Sequence, residues 1–92
     1  QGSGLGARRM KQNIEIVKKW LDNPESVSQE ELQDNYNSVQ EVWAWFYSTA
    51  QREAMGIGHR VYDVQVSNAA YMALKNNPQW ATYWINQIEA GL

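Results

Sequence analysis

The sequence predicts an all-α fold, a small four-helix bundle-like domain with one long central helix. Three observations predict it. Apolar residues recur at alternating steps of four and three through Leu32, Tyr36, Val39, Trp43, Phe46 and Ala50, which is a helical stripe and not a strand. Ser28 and Glu31 form a capping box ahead of that stripe, each side chain bonding the other residue's free backbone N–H. Asn-Pro pairs at Asn23-Pro24 and Asn77-Pro78 punctuate the rest of the chain, one closing a helix and the other opening one.

The chain has 92 residues, which suits one domain. Residues 1–9 read as a tag and vector remnant, with Gln1-Gly2-Ser3 the end of a protease-site tag and Gly4 to Arg9 a linker, so residues 10–92 are taken as a single helical domain. Without Arg8 and Arg9, six basic residues face ten acidic ones. That balance argues against a broad nucleic-acid surface, which should be basic. A core of this size is small, and oligomerisation is one common remedy. The chain has no cysteine, which excludes disulfides, thiolate metal sites and cysteine nucleophiles. No apolar run approaches the roughly 20 residues a membrane helix needs, no signal peptide is legible, and a cytoplasmic location is expected.

The first helix is predicted from about Met10 to Asp22. Met10, Ile14, Val17 and Leu21 form its apolar stripe, widened on one flank by Ile16 and Trp20. Glu15 stands four, three and four residues from Lys11, Lys18 and Lys19, spacings that allow ion pairs. The lysines therefore read as a solvated face rather than a phosphate site. Asn23-Pro24 ends the helix. The short connection that follows implies antiparallel neighbours.

Asp22, Glu25, Glu30, Glu31, Asp34 and Glu41 span this corner, and no Lys, Arg or His occurs between Leu21 and Gln51. The patch either serves solubility and the helix dipole or is a docking surface for a basic partner. The long helix is predicted over Ser28 to Met55, roughly 40 Å at 1.5 Å per residue. Val27 and Leu32 can staple its start, and Gly56 stops it.

Gly56-Ile57-Gly58-His59-Arg60 resembles a phosphate loop only in its glycines, because no strand precedes it. His59, the one histidine, has Asp63 one turn on, but no nucleophile completes a catalytic set and no third residue completes a metal site. No enzyme activity, metal or cofactor is expected.

The third helix is predicted from about Arg60 to Asn76. A short strand over Val61 to Val66 is the alternative, since that run alternates and is β-branched. As a helix it is apolar on two sides, with Tyr62, Val66, Ala69 and Ala73 on one and Val64 and Tyr71 on another. Such a helix is either central in its bundle or half of a subunit contact, and a homodimer or larger assembly is expected on that ground. The last helix is predicted from Pro78 to about Ala90, with Trp80, Ala81, Trp84, Ile85 and Ile88 as a broad apolar face and Gly91 as C-cap.

Five Trp, five Tyr and one Phe either fill the small core or serve an interface, where Trp and Tyr are enriched. Trp45 poses the question most sharply. Two positions beyond Trp43 is a rotation of about 200°, so it lies opposite the core stripe among Glu41, Ser48 and Arg52. Either another helix covers it or it anchors a partner. The leading expectation is a non-enzymatic protein-interaction module with Trp45, Glu41, Arg52 and Asp34 as partner-binding residues. The alternative is a small nucleic-acid or nucleotide-binding protein that stacks bases on aromatics and uses Lys11, Lys18, Lys19, Arg52, His59 and Arg60.

Trp20-Leu21-Asp22-Asn23-Pro24 followed by Val27-Ser28-Gln29-Glu30-Glu31-Leu32 resembles a segment of small helical accessory proteins from tailed phages. There, a "W-L-x-x-P … V-S-x-E-E-L" start leads into a long Ala/Tyr-rich helix and an aromatic last helix. The resemblance covers about a third of the chain, and the motif is mostly helix-stop and helix-start chemistry. The scarcity of alanine between Val39 and Ala50 departs from it. It implies a phage accessory protein, in one form an inhibitor of a host factor in the host cytoplasm, and no catalytic residues.

Overall fold

The computed structural model of the chain describes residues 2–45 and 60–90, with side chains over 8–41 and 64–90. Four α-helices follow one another in that span: α1 (Gly2–Asp22), α2 (Gln29–Trp45), α3 (Arg60–Leu74) and α4 (Pro78–Ala90). No strand occurs among the described residues, so Val61 to Val66 is helix and not strand. Among the described residues, α1 and α3 each pack on the three other helices, whereas α2 and α4 do not meet. The fold is therefore an α1–α3 pair flanked on two sides, a small bundle-like all-α domain.

α1 begins at Gly2 rather than at Met10. Ala7, Arg8 and Arg9 are good helix formers and extend the helix upstream of Met10. Arg9 is moreover docked on α2, its Nη2 donating to Ser38 Oγ and to Glu41 Oε1, both at 3.1 Å. The buried stripe of α1 is Met10, Asn13, Ile14, Val17 and Trp20. Trp20 is inside, and Leu21 is only half-buried at the margin of the core, a reversal of the expected order. α1 packs against all three other helices, so its buried face is wider than a single stripe and takes in Trp20.

The corner after α1 is built by local hydrogen bonds. The Asn23 N–H reaches Lys19 O at 3.0 Å, closing α1. The Asn23 side chain then caps a single turn of 3-10 helix at Pro24–Ser26 by accepting from the Glu25 N–H. The α2 start is the predicted capping box. The Glu31 N–H donates to Ser28 Oγ at 3.0 Å, and the Ser28 N–H donates to Glu31 Oε1 at 3.2 Å. Val27 and Leu32 are both buried in the core beside it. Gln29 Nε2 donates to Leu74 O at 3.0 Å, tying the start of α2 to the end of α3. α2 is described through Trp45; its predicted continuation to Met55, the stop at Gly56 and the Gly91 cap lie outside the described residues.

α3 ends in a Schellman motif. The Asn77 N–H bonds Met72 O at 2.8 Å and the Asn76 N–H bonds Ala73 O at 3.0 Å. Asn76 holds φ 59°, the left-handed conformation that Asn tolerates better than most residues. Asn77 then caps α4, accepting from the Trp80 N–H at 3.2 Å. A six-residue connection (23–28) and a three-residue one (75–77) thus join successive helices, each organised by short polar side chains.

The core joins Leu32 and Val39 of α2, Val66, Ala69, Ala70 and Ala73 of α3, and Ala81, Ile85 and Ile88 of α4 to the α1 stripe. The alanines of α3 let its neighbours approach closely. Only one of the two apolar sides predicted for α3 is buried: Val64 and Tyr71 are exposed.

Candidate functional site

Three surface features stand out among the described residues. The first is a groove of about 800 Å³ between α1 and α2. Its floor is made by Asn13 and Asn35, both buried. Asn13 Nδ2 donates to Asn35 Oδ1 at 2.8 Å, and Asn35 Nδ2 donates back to the Asn13 backbone carbonyl at 3.3 Å. Asn13 Oδ1 is buried and has no hydrogen-bond partner among the described residues. Buried polar atoms are normally satisfied, so such an atom calls for an explanation.

The groove is divided by charge. The Arg9 bonds to Ser38 and Glu41 and the Asn13 bond to Asn35 set α1 and α2 antiparallel. In that register Arg8 and Lys11 line one end, and Glu15, Glu31 and Asp34 line the other. Glu31, Asp34, Ser38 and Glu41 follow at steps of three, four and three, so they form one edge of α2. Arg9 occupies the Ser38–Glu41 half of that edge. Glu31 is engaged in the capping box. Asp34 is exposed, and its carboxylate makes no ion pair or hydrogen bond among the described residues. Beyond the acidic end lie Asp22, Glu25 and Glu30, all exposed.

The second feature is a ridge of rings on α4. Trp80 is 50% and Tyr83 44% exposed, and Trp84 is half-buried. Trp80 meets Tyr83 edge-on with centroids 5.2 Å apart, and Tyr83 meets Trp84 likewise at 5.0 Å. Trp80 was expected in the core face. The buried stripe is instead Ala81, Ile85 and Ile88, and Trp80, one position before Ala81, is turned about 100° out of it. The third feature is smaller. Tyr71 packs against Tyr36 with centroids 5.6 Å apart, and the Lys75 ammonium lies 5.4 Å from the Tyr71 ring.

The structure brings two of the predicted partner-binding residues together: Asp34 and Glu41 lie two turns apart on the same edge of α2. Trp45 is the last described residue of α2 and Arg60 the first of α3, and the side chains of both lie outside the described residues, as do Arg52 and His59 entirely. The lysines of the nucleic-acid alternative take three different surroundings. Lys11 lines the basic end of the groove. Lys19 is exposed in the last turn of α1. Lys18 reaches across to Glu89 on α4, rather than pairing with Glu15 as its spacing allowed. The hydrogen bond and charge of Glu89 hold the Lys18 ammonium above its ordinary range, with a weaker pull from Glu15.

The Asn13–Asn35 pair escaped the sequence reading. Its signal was there: Asn13 falls three residues after Met10 and four before Val17, and Asn35 falls three after Leu32 and four before Val39. A polar residue on an apolar stripe is the mark of a buried hydrogen bond. Among the described residues, no group of three or more His, Cys, Asp or Glu is placed to hold a metal ion, and no helix is long and apolar enough to cross a membrane. Compared with protein-family models, curated proteins and solved structures, the chain matches none.

Proposed function

We propose that this chain is a non-enzymatic protein-interaction module that presents aromatic and acidic surface to a protein partner. The observation that carries the reading is the ridge of Trp80, Tyr83 and Trp84. Apolar residues scattered singly on a surface need no explanation, but contiguous rings do. Trp and Tyr are the residues most enriched among interface hot spots, and their truncation typically costs about 2 kcal/mol or more of binding. The ridge residues touch one another, so the surface is partly preorganised. Trp45 and the α2 edge of Asp34 and Glu41 belong to the same proposal as a second contact region. An inhibitor of a host factor, encoded by a tailed phage, is one specific form of it and rests on the sequence resemblance. Self-association through Val64 and Tyr71 of α3 is a further form, tested by light scattering across a wide concentration range.

The experiment is a crosslinked capture from a host lysate with the wild-type chain, a Trp80→Ala/Tyr83→Ala double variant and Trp45→Ala. A partner held by wild type and lost by a variant that remains folded at the assay temperature supports the reading. Capture that is indifferent to all these rings defeats it. Titration of RNA and DNA binding against salt runs beside it, because nucleic-acid binding weakens steeply as salt rises.

A further inference from the structure

We propose that the ridge of Trp80, Tyr83 and Trp84 docks a proline-rich segment of a partner protein in the polyproline II conformation. The proposal rests on the reading of the chain as a protein-interaction module and names the partner's chemistry at this ridge. Charge, hydrogen bonding and shape converge on it. From Pro78 to Ile88 the chain carries no charged residue. Glu89, the one carboxylate of α4, lies about 180° round the helix from Trp80 and is paired with Lys18. A charged segment laid on this strip would lose hydration without gaining a partner, so the complementary segment is uncharged. The strip is nevertheless rich in donors. The indole N–H groups of Trp80 and Trp84 and the Tyr83 hydroxyl make no hydrogen bond among the described residues. Gln87, exposed and one turn beyond Tyr83 and Trp84, extends the strip with an amide. A ligand that covers these donors must bring acceptors, because a donor buried without one is destabilising.

Those demands select among the ways a peptide can be held. A partner helix uses its backbone carbonyls internally and would leave the ring donors unmet. An added strand needs a sheet edge, and no strand occurs among the described residues. A polyproline II segment is uncharged, has no internal hydrogen bonds and turns its backbone carbonyls outward as acceptors. Its rigidity also lowers the entropy lost on docking to an aromatic surface. Shape agrees. The planes of Trp80 and Tyr83 meet at 75° and those of Tyr83 and Trp84 at 80°, so each contact leaves a corner between ring face and ring edge. A proline ring is a compact apolar group that such a corner accepts. The outer centroids of the ridge are no more than about 10 Å apart, and one turn of polyproline II, three residues at 3.1 Å, is about 9 Å long. Prolines three apart therefore match the two corners.

The test uses the whole chain and an acetylated decaproline amide, with a Gly-Ser decamer and an uncharged amphipathic helical peptide as controls. Binding is followed by ¹H–¹⁵N NMR through the indole N–H signals. The expected result is saturable movement of the Trp80 and Trp84 signals with decaproline while Trp20 stays still, and at least tenfold weaker binding of the Gly-Ser peptide. Trp80→Ala should weaken decaproline at least tenfold. Tyr83→Phe keeps the ring and removes the hydroxyl, and should weaken it at least threefold without altering the amide pattern of the fold. Equal binding of decaproline and the Gly-Ser peptide overturns the proposal. So do unmoved Trp80 and Trp84 signals, indifference to Tyr83→Phe, or tighter binding of the helical peptide. Ridge signals that move with protein concentration as the mass doubles assign the face to a second copy and overturn it too. A failure here while capture through Trp80 and Tyr83 persists removes the proline-rich partner alone, whereas loss of ring-dependent capture removes the broader reading.

Discussion

Asn13 and Asn35 bind each other across the α1–α2 interface, with Asn13 Nδ2 donating to Asn35 Oδ1 at 2.8 Å between two otherwise apolar stripes. Removing one partner strands the other. Leaving a buried polar group unsatisfied costs about 1–3 kcal/mol, whereas replacing both partners by apolar groups of similar shape is close to neutral. Asn35→Leu should therefore destabilise the fold by about 1–3 kcal/mol, and Asn13→Leu/Asn35→Leu by clearly less than the two single variants combined. Urea midpoints of the four proteins decide it. Additive losses would show that the pair is not coupled.

The capping box makes a more local demand. Ser28 Oγ accepts the Glu31 N–H, and alanine cannot replace it. Ser28→Ala should cost about 1 kcal/mol, which in a domain this small lowers the melting temperature by about 4–8 °C. Glu31→Gln keeps the reciprocal bond and should cost far less, since Gln serves in the same motif. Equal losses for the two variants would contradict the observed geometry.

Helix identities and most boundaries were legible because they are written in local chemistry: Ser28 with Glu31, Asn23 before Pro24, Asn77 before Pro78. Packing was legible only in part. Periodicity places a residue on one side of a helix but does not say how many neighbours share that side. Periodicity puts Trp20 on a flank, yet it is core, since α1 packs on three helices. Periodicity puts Trp80 on the core face, yet it is exposed, since the buried stripe of α4 is the narrow one of Ala81, Ile85 and Ile88. The charge contrast of the groove was half legible. The acidic α2 edge is a run in sequence, but its apposition to Arg8, Lys11 and Glu15 depends on an antiparallel register that only tertiary contacts reveal. Ion-pair choice was the least legible, since Lys18 prefers a carboxylate 71 residues away to one three residues away.

That long-range pair carries a pH dependence whose sign is fixed. Glu89 raises the Lys18 pKa above 10.5 in the folded chain. A group with a raised folded pKa contributes stability that is fully present below its unfolded value and lost as the pH rises through its folded value. The difference in urea midpoint between wild type and Glu89→Gln should therefore be constant from pH 7 to about 9 and should shrink once the pH passes 10.5. Both groups are solvent-exposed, so the difference should also diminish with added salt. A difference unchanged up to pH 12 would assign the effect of Glu89 to something other than Lys18.

Trp20 and Trp80 offer the sharpest contrast on the molecule. Both are tryptophans on helices that pack with α3, yet Trp20 is buried in the central cluster and Trp80 is half exposed. Truncating a buried tryptophan removes its transfer free energy and leaves a cavity, together about 3–5 kcal/mol. A substantial share of total stability in a domain of this size is lost with it. Trp20→Ala should accordingly leave the chain partly unfolded at 37 °C, visible as lost near-ultraviolet circular dichroism. Trp80→Ala loses only the covered part of its ring and its edge contact with Tyr83, and an aromatic pair is worth about 0.5–1.5 kcal/mol beyond its buried area. Its melting temperature should fall by no more than several degrees. Fluorescence separates the two sites further. Acrylamide should quench Trp80 far more readily than Trp20, so the quenchable fraction should drop in Trp80→Ala and rise in Trp20→Phe. If Trp80→Ala melts as low as Trp20→Ala, the ridge is part of the core and the interaction surface proposed for α4 does not exist.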